Sequence, residues 1–227
     1  MLAGMDTVLI TGANRGIGLS LAQAHAARGD KVIGVCRKDS PELRATGAQL
    51  EPGVDVTDPA SLLALVKRLD RTRVHRLWLN AGVLERDRLG GIDAAGFDSL
   101  RRQFEVNALG PLRVAQALLD NLGSGSKVVI MTSRMGSMAD NDSGGYYGYR
   151  ASKAAVNAIG KSLAVDLRPR GVAVYLLHPG YVATDMVGRS GDITPEVAAQ
   201  RMLELVDRFD MDESGSFHHS NGSALPW

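Results

Sequence analysis

Apolar residues along this chain fall into two rhythms. Short unbroken runs, TVLIT (7–11), KVIGVC (31–36), RLWLN (76–80), KVVIMT (127–132) and VAVYLLH (172–178), alternate with longer stretches at 16–28, 59–70, 97–122, 149–168 and 195–208, where apolar positions recur at helical spacing. Unbroken runs predict strands covered on both faces, as in a parallel sheet, and the longer stretches predict amphipathic helices. A weaker strand is expected within 48–55 and a last short one near 215–218. The strand–helix–strand repetition predicts an α/β fold, a doubly wound and mostly parallel sheet with right-handed crossovers. Asp58 followed by Pro59 marks a helix start, and RPRGV at 168–172 marks a helix end. No linker, repeat or low-complexity block interrupts the pattern, so residues 1–227 are expected to form a single domain.

Composition narrows the function. The 227 residues suffice for one well-filled core, and a net charge of +1 provides no broad field for nucleic acid or an anionic membrane. Any anion must therefore be caught by local geometry. Cys36 is the sole cysteine, which excludes an internal disulfide and a cysteine-based zinc site. An EF-hand opening at Asp140 would place Gly144 at its fifth position and Ala151 at its twelfth, where carboxylates are required. His218 and His219 are adjacent and would point to opposite faces of a strand, and His178 reads as a strand-end residue, so no metal is expected. The stretch MLAGMDTVLITG lacks the basic and long apolar segments of a secretory signal, and no run reaches the ~18 apolar residues of a membrane span. A cytoplasmic protein is expected.

Gly12, Gly16 and Gly18 lie between the first predicted strand and the first predicted helix. A tight glycine loop there lets backbone N–H groups at a helix N-terminus approach a pyrophosphate, with the helix dipole favouring its charge. The spacing is G-x-x-x-G-x-G without the Lys-Ser/Thr ending of a P-loop, which disfavours ATP or GTP hydrolysis. A second pattern lies in GGYYGYRASK (144–153), where Tyr149 and Lys153 are spaced to share one helix face. Tyr146 and Tyr147 have Arg150 and Ala151 at the equivalent spacing and read as packing or pocket-wall residues.

Taken in order, TGANRGIG (11–18), NAG (80–82), Asn107, Ser133, YRASK (149–153) and PGYVAT (179–184) resemble the short-chain dehydrogenases/reductases across nearly the whole chain. SRMGS (133–137) and the LPW at 225–227 further resemble the branch of C-factor-like proteins and sniffer-type carbonyl reductases. The resemblance implies a Rossmann fold with an integrated substrate site, and catalysis by Ser133, Tyr149 and Lys153 with Asn107 completing a proton relay. The chemistry supplies a reason for each type. Carbonyl reduction places a hydride on carbon and a proton on the developing alkoxide, and a tyrosine can serve as the general acid, or as base in the oxidative direction. A free phenol, with a pKa of about 10, is a poor base near neutrality. A neighbouring Lys153 and the positive ring of an oxidised nicotinamide are expected to depress it. Ser133 would hydrogen-bond the substrate oxygen. The stretch between Ser133 and Tyr149 is longer than is usual in the family, with ADNDSGG looping out, and Ser137 is the alternative serine.

The resemblance also assigns the cofactor contacts. Gly12, Asn14, Arg15, Gly16, Ile17 and Gly18 would form the phosphate loop, Asp55 and Val56 would meet the adenine, and Asn80, Ala81 and Gly82 would run along the cofactor. Tyr149 and Lys153 would contact the nicotinamide ribose, while Pro179, Gly180, Val182 and Thr184 would hold the carboxamide. An acid at the end of the second strand selects NAD in dinucleotide folds. Cys36 stands there instead, followed by Arg37, whose charge and fork suit a 2′-phosphate. NADP(H) is therefore expected over NAD(H), with Arg15 a second candidate contact; the lesser alternative is that both arginines are merely solvated. The expected activity is NADPH-dependent reduction of a small ketone or aldehyde to an alcohol. The alternative is a cofactor-binding regulatory or signalling protein of the C-factor type with little turnover. Met135, Met138, Tyr146 and Tyr181 are candidates for the pocket wall. SKAAVNAIGKSLAVDL, rich in small residues and apolar on more than one side, points to a homo-oligomer, a dimer or tetramer.

Overall fold

Seven strands form one wholly parallel sheet in a computed structural model that describes residues 5–227. Residues 1–4, part of the stretch read above for a secretory signal and of the expected single domain, lie outside the described range. The strands are β1 (Thr7–Thr11), β2 (Lys31–Val35), β3 (Gln49–Glu51), β4 (Arg76–Leu79), β5 (Lys127–Met131), β6 (Ala173–His178) and β7 (Phe217–His219), ordered β3-β2-β1-β4-β5-β6-β7. β1 pairs with β2 on one side (Leu9 opposite Ile33) and with β4 on the other (Leu9 opposite Leu77). The chain winds outward from β1 in one direction and then restarts at β4 in the other. The connections diverge at that point and leave a crevice beyond the carboxyl ends of the strands.

The unbroken apolar runs are explained by the two-period of a strand. Leu9, Ile33, Leu77, Val128 and Ile130 enter one core layer, while Val8, Ile10, Val32, Trp78 and Val129 enter the other. Helices α3 (Pro59–Leu69), α5 (Gly110–Ala117) and α6 (Tyr147–Leu167) cover the first face through residues such as Leu65, Val114 and Val156. α1 (Gly16–Ala27), the short α2 (Pro41–Ala45) and α7 (Pro195–Arg208) cover the second through Leu21, Leu43 and Met202. Each fully buried side chain of this size contributes roughly 1.5–3 kcal/mol. A buried polar link joins α1 to the sheet. Trp78 Nε1 donates to His25 Nε2 (3.0 Å), so the proton sits on His25 Nδ1, which donates to Asp30 (2.7 Å). Burial lowers the pKa of His25 and keeps it neutral.

The predicted helix over 97–122 is divided in the structure. α4 (Ala94–Phe104) passes into a π-helical turn, Glu105–Leu109, before α5 begins at Gly110. Pro111 has no N–H for the carbonyl of residue 107, and the winding widens where that bond is missing. α2 was not anticipated because five residues are too few to show a period. Its start is nonetheless local chemistry, with the Ser40 hydroxyl accepting from the Leu43 N–H (3.2 Å) and Pro41 in the first turn. Among the described residues no helix is long and apolar enough to cross a membrane.

Candidate active site

Two cavities meet at the carboxyl ends of the strands. The first, of about 660 Å³, lies over the β1/β4 crevice and is floored by the glycine loop. Gly12 and Gly16 adopt left-handed backbone (φ +69° and +52°), where side chains are strained. Gly18 is constrained differently: a Cβ there would lie 2.2 Å from the Gly12 carbonyl oxygen and 2.6 Å from Asn80 Nδ2. Asn80 Nδ2 donates to the Thr11 carbonyl (3.0 Å), while the Thr11 hydroxyl accepts from the Asn80 and Ala81 N–H groups (3.0 and 3.1 Å). β1 and β4 are thereby stitched together under the loop. The Arg15 side chain does not cap the first turn of α1, whose N-terminus opens there.

The expected cofactor residues divide between the cavities. Gly12, Asn14, Arg15, Gly16, Ile17, Gly18, Arg37, Asp55, Val56, Asn80, Ala81, Gly82, Tyr149, Lys153, Pro179 and Thr184 all line the first cavity. Gly180 and Val182 line the second instead, because Gly180 turns the chain (φ +100°) and Val182 then bridges to Ile193. Asp39, the nearest acid after β2, is held in an ion pair with Arg44. Burial alone would raise the Asp55 carboxyl, but hydrogen bonds from the Thr57 N–H and hydroxyl, with Arg37 and Arg102 nearby, hold it below the usual range.

Tyr149 lines both cavities, Lys153 only the first and Ser133 only the second. Ser133 follows β5 and sits beside the Tyr149 phenol, whose pKa it lowers, while its hydroxyl accepts from the Met135 N–H (3.1 Å). Ser137 is turned away, its hydroxyl accepting from the Asp140 N–H (3.2 Å), so the alternative serine is not the one at the phenol. Lys153 Nζ donates to the Met131 carbonyl (2.8 Å) and stands 5.7 Å from the Tyr149 ring centre. Asn107, at the middle of the π-turn, lines neither cavity. Its amide accepts from the Val83 N–H (2.8 Å) and donates to the Val83 carbonyl (2.8 Å) and the Ser152 hydroxyl (3.0 Å). That clamp keeps the loop after β4 against α6; a Cβ on Gly82 would meet Asn107 Oδ1 at 3.2 Å and Lys153 Nζ at 3.8 Å.

The expected depression of the phenol is not produced by the protein groups alone. Burial pushes the Tyr149 phenol up to about 12, against the lowering effect of Ser133, and brings the Lys153 ammonium down to about 8. The ammonium is spent on a backbone carbonyl rather than on the phenolate oxygen. Lowering the phenol further requires positive charge from outside the chain.

The second cavity, of about 520 Å³, opens beyond Ser133 and Tyr149. Met135, Tyr146 and Tyr181 line it as expected, but Met138 points to solvent at 76% exposure. Tyr147 is also directed away from it. Tyr146 is a non-glycine residue in left-handed backbone (φ 50°, ψ 42°) at the start of α6. Asp87 holds that strained turn: its carbonyl accepts from the Tyr146 N–H (3.0 Å), and its carboxylate accepts from the N–H groups of Tyr147 and Gly148 (3.2 Å for the latter). An acid capping a helix from a distant loop carries no local sequence signal, and Asp87 and the cavity residues Arg86, Arg150 and His178 lie outside the expected site set.

The chain matches the short-chain dehydrogenase family over residues 6–193. It is 44% identical to the 1-hydroxy-2-glutathionyl-2-methyl-3-butene dehydrogenase of Rhodococcus sp. (strain AD45), covering 98% of this chain and all of that protein. It is also 44% identical to the C-signal of Myxococcus xanthus, over 61% of this chain and 83% of that one. Among solved structures, the NADPH-bound carbonyl reductase from chicken fatty liver superposes with a TM-score of 0.88 at 27% identity, covering 98% of this chain and 99% of its own.

Proposed function

The chain belongs to the short-chain dehydrogenase family, and on that premise we propose that it is an NADPH-dependent oxidoreductase reducing a small ketone or aldehyde to the alcohol. The observation that carries this reading is the position of Tyr149 in the wall shared by the two cavities, with Ser133 on the substrate side and Lys153 on the other. A glycine-floored cavity whose loop would be filled by a single Cβ at Gly18 fits a dinucleotide. Arg37 and Arg15 border it, and Asp39 is engaged elsewhere, which favours a 2′-phosphate over a free 2′-hydroxyl. NADPH, when bound, supplies the hydride.

The chain's own residues handle the proton. Tyr149, neutral at physiological pH, donates its hydroxyl proton to the oxygen that becomes the alcohol. Ser133 hydrogen-bonds the same oxygen as negative charge develops there. Lys153 would hold the nicotinamide ribose, and Asn107 keeps the loop behind that lysine in place. A screen of NADPH consumption over aldehydes, ketones and quinones, with NADH in parallel, tests the reading. Oxidation of NADH in preference to NADPH, or of neither with any carbonyl, would refute it.

The C-signal similarity supports a second reading, a cofactor-binding regulator with little turnover. The complete Ser–Tyr–Lys cluster weighs against it, since binding alone has no use for the Tyr149 proton. Phe97, Phe104, Leu112 and Val165 are exposed apolar side chains on α4, the π-turn's approach, α5 and α6. They support the proposal of a homo-oligomer, which light scattering at micromolar concentration would test. The cytoplasm is the proposed location, in keeping with a buried free thiol at Cys36.

A further inference from the structure

The wall of the second cavity is more charged than a pocket for a simple ketone requires. Arg86, Arg134, Asp140, Asp142, Arg150 and His178 all contribute to it. Arg134 and Asp140 neutralise one another in an ion pair. His178 carries no charge at neutral pH, since burial, with the nearby His219, pulls it down to about 3. What remains is the pair of guanidiniums on Arg86 and Arg150 against the single carboxylate of Asp142. Among the described residues no acidic group lies within ion-pair distance of either arginine.

The two arginines are placed differently. Arg150 follows Tyr149 on α6 and is half-buried; its guanidinium donates to the Ser143 hydroxyl (2.8 Å) and, at 3.5 Å, to the Met135 carbonyl. Both acceptors are neutral, and Nε is buried with no acceptor among the described residues. Arg86 comes from the loop after β4, is exposed, and makes no side-chain hydrogen bond among the described residues. A cation left half-buried among neutral acceptors is costly unless an anion completes it. The two line one cavity, Arg86 from the loop after β4 and Arg150 from α6, and the ion-paired Arg134 adds no net charge to it.

Building on the carbonyl-reductase reading, we propose that the substrate carries a carboxylate remote from the carbonyl, held by Arg150 and drawn in by Arg86. The reacting oxygen lies at Ser133 and Tyr149, and the anionic end lies toward Ser143 and the loop after β4. Arg150, bidentate and partly desolvated, supplies most of the affinity, whereas Arg86, in water, acts chiefly on capture and is screened by salt.

A matched pair of aldehydes tests this: 4-carboxybenzaldehyde and its neutral methyl ester, assayed by NADPH consumption on the full chain. The expected result is a kcat/KM at least about tenfold higher for the carboxylate, with the gap narrowing as sodium chloride is raised. In Arg86→Met/Arg150→Met the ratio between the two substrates should fall to about one, and Arg150→Lys should restore part of it, since the charge returns without the fork. Terephthalate, which has no reducible carbonyl, is titrated into the NADP-loaded protein as a separate arm. Binding that weakens about tenfold or more in the double variant supports the anion site whatever the turnover. Equal kcat/KM for the two aldehydes in the wild type, or variants that slow both alike, would overturn it. Terephthalate binding without turnover of either aldehyde would refute the carbonyl reading and keep the anion site.

Discussion

The two cavities that meet at Tyr149 are built on different principles. The cofactor side is shaped by backbone: Gly12 and Gly16 take conformations closed to most residues, and Gly18 stands where one methyl group would strike the Gly12 carbonyl. The substrate side is shaped by side chains arriving from separate elements, among them Arg86, Tyr146, Arg150 and Tyr181. A surface made of backbone recognises what every dinucleotide shares, a pyrophosphate presented to N–H groups. One made of side chains can be rewritten residue by residue without moving the strands beneath it. The contrast explains how one scaffold keeps a cofactor while its substrates vary.

The contrast is broken most severely at Tyr149, one of the residues the two sides share. Tyr149→Phe keeps the ring and its packing but removes the proton, so carbonyl reduction should fall about 10²- to 10⁴-fold. NADPH binding, followed by fluorescence titration, should change little, and Tyr146→Phe should retain most activity. A Tyr149→Phe enzyme as fast as the wild type, or a dead Tyr146→Phe, would mean that the proton comes from elsewhere. Lys153→Met should lower both turnover and cofactor affinity, because the ammonium stands on the cofactor side while packing against the phenol.

On the cofactor side alone, Arg37→Asp should weaken NADPH by roughly 2–4 kcal/mol while improving NADH relative to it, through a lost charge-assisted pair and added repulsion. Equal changes in the two dissociation constants would remove Arg37 from the 2′-phosphate. Smaller still is the effect expected of backbone crowding. Gly18→Ala forces the loop or Asn80 to shift, which should cost about 1–3 kcal/mol of stability in denaturant titration. Arg86→Met, on the side-chain-built wall, should stay within about 0.5 kcal/mol of wild type in the same measurement. A Gly18→Ala protein as stable as Arg86→Met would erase the distinction between the two walls.

The smallest expected effect is a pH dependence of stability. His25 and His178 are held neutral in the fold by burial, the latter down to about 3 from an ordinary value of 6.5. Below about pH 6.5 the unfolded chain binds protons that the folded chain refuses. Their contribution is therefore intact above that pH and is lost as the pH falls from there toward 3. The Tm should drop by a few degrees between about pH 7.5 and 5, before most carboxylates titrate. A flat Tm over that interval would show these histidines to be less sheltered than their burial implies.

Much of the molecule is legible from local patterns because the physics there is local. A strand covered on both faces must be apolar at successive positions, as Val8, Leu9 and Ile10 are, and those three residues do enter opposite cores. Tyr149 and Lys153 can be paired by spacing alone because the helix periodicity places them on one face. Ser133 can be placed at the end of an apolar run. The glycine spacing likewise announces a crowded backbone, and the fold adds which atom does the crowding, the Gly12 carbonyl oxygen.

What stays hidden depends on groups far apart in the chain. Pro111 interrupts helical hydrogen bonding locally, yet it takes the fold to show that the widened turn lets Asn107 clamp Val83 against α6. Asp87 holds the first turn of α6 across a long sequence interval. The sign of the phenol's shift is of the same kind: spacing puts a cation beside Tyr149, but burial raises the phenol against Ser133 alone, and the Met131 carbonyl holds the ammonium. Desolvation and long-range capping are sums over everything packed around a group. They acquire a value only when the chain has closed.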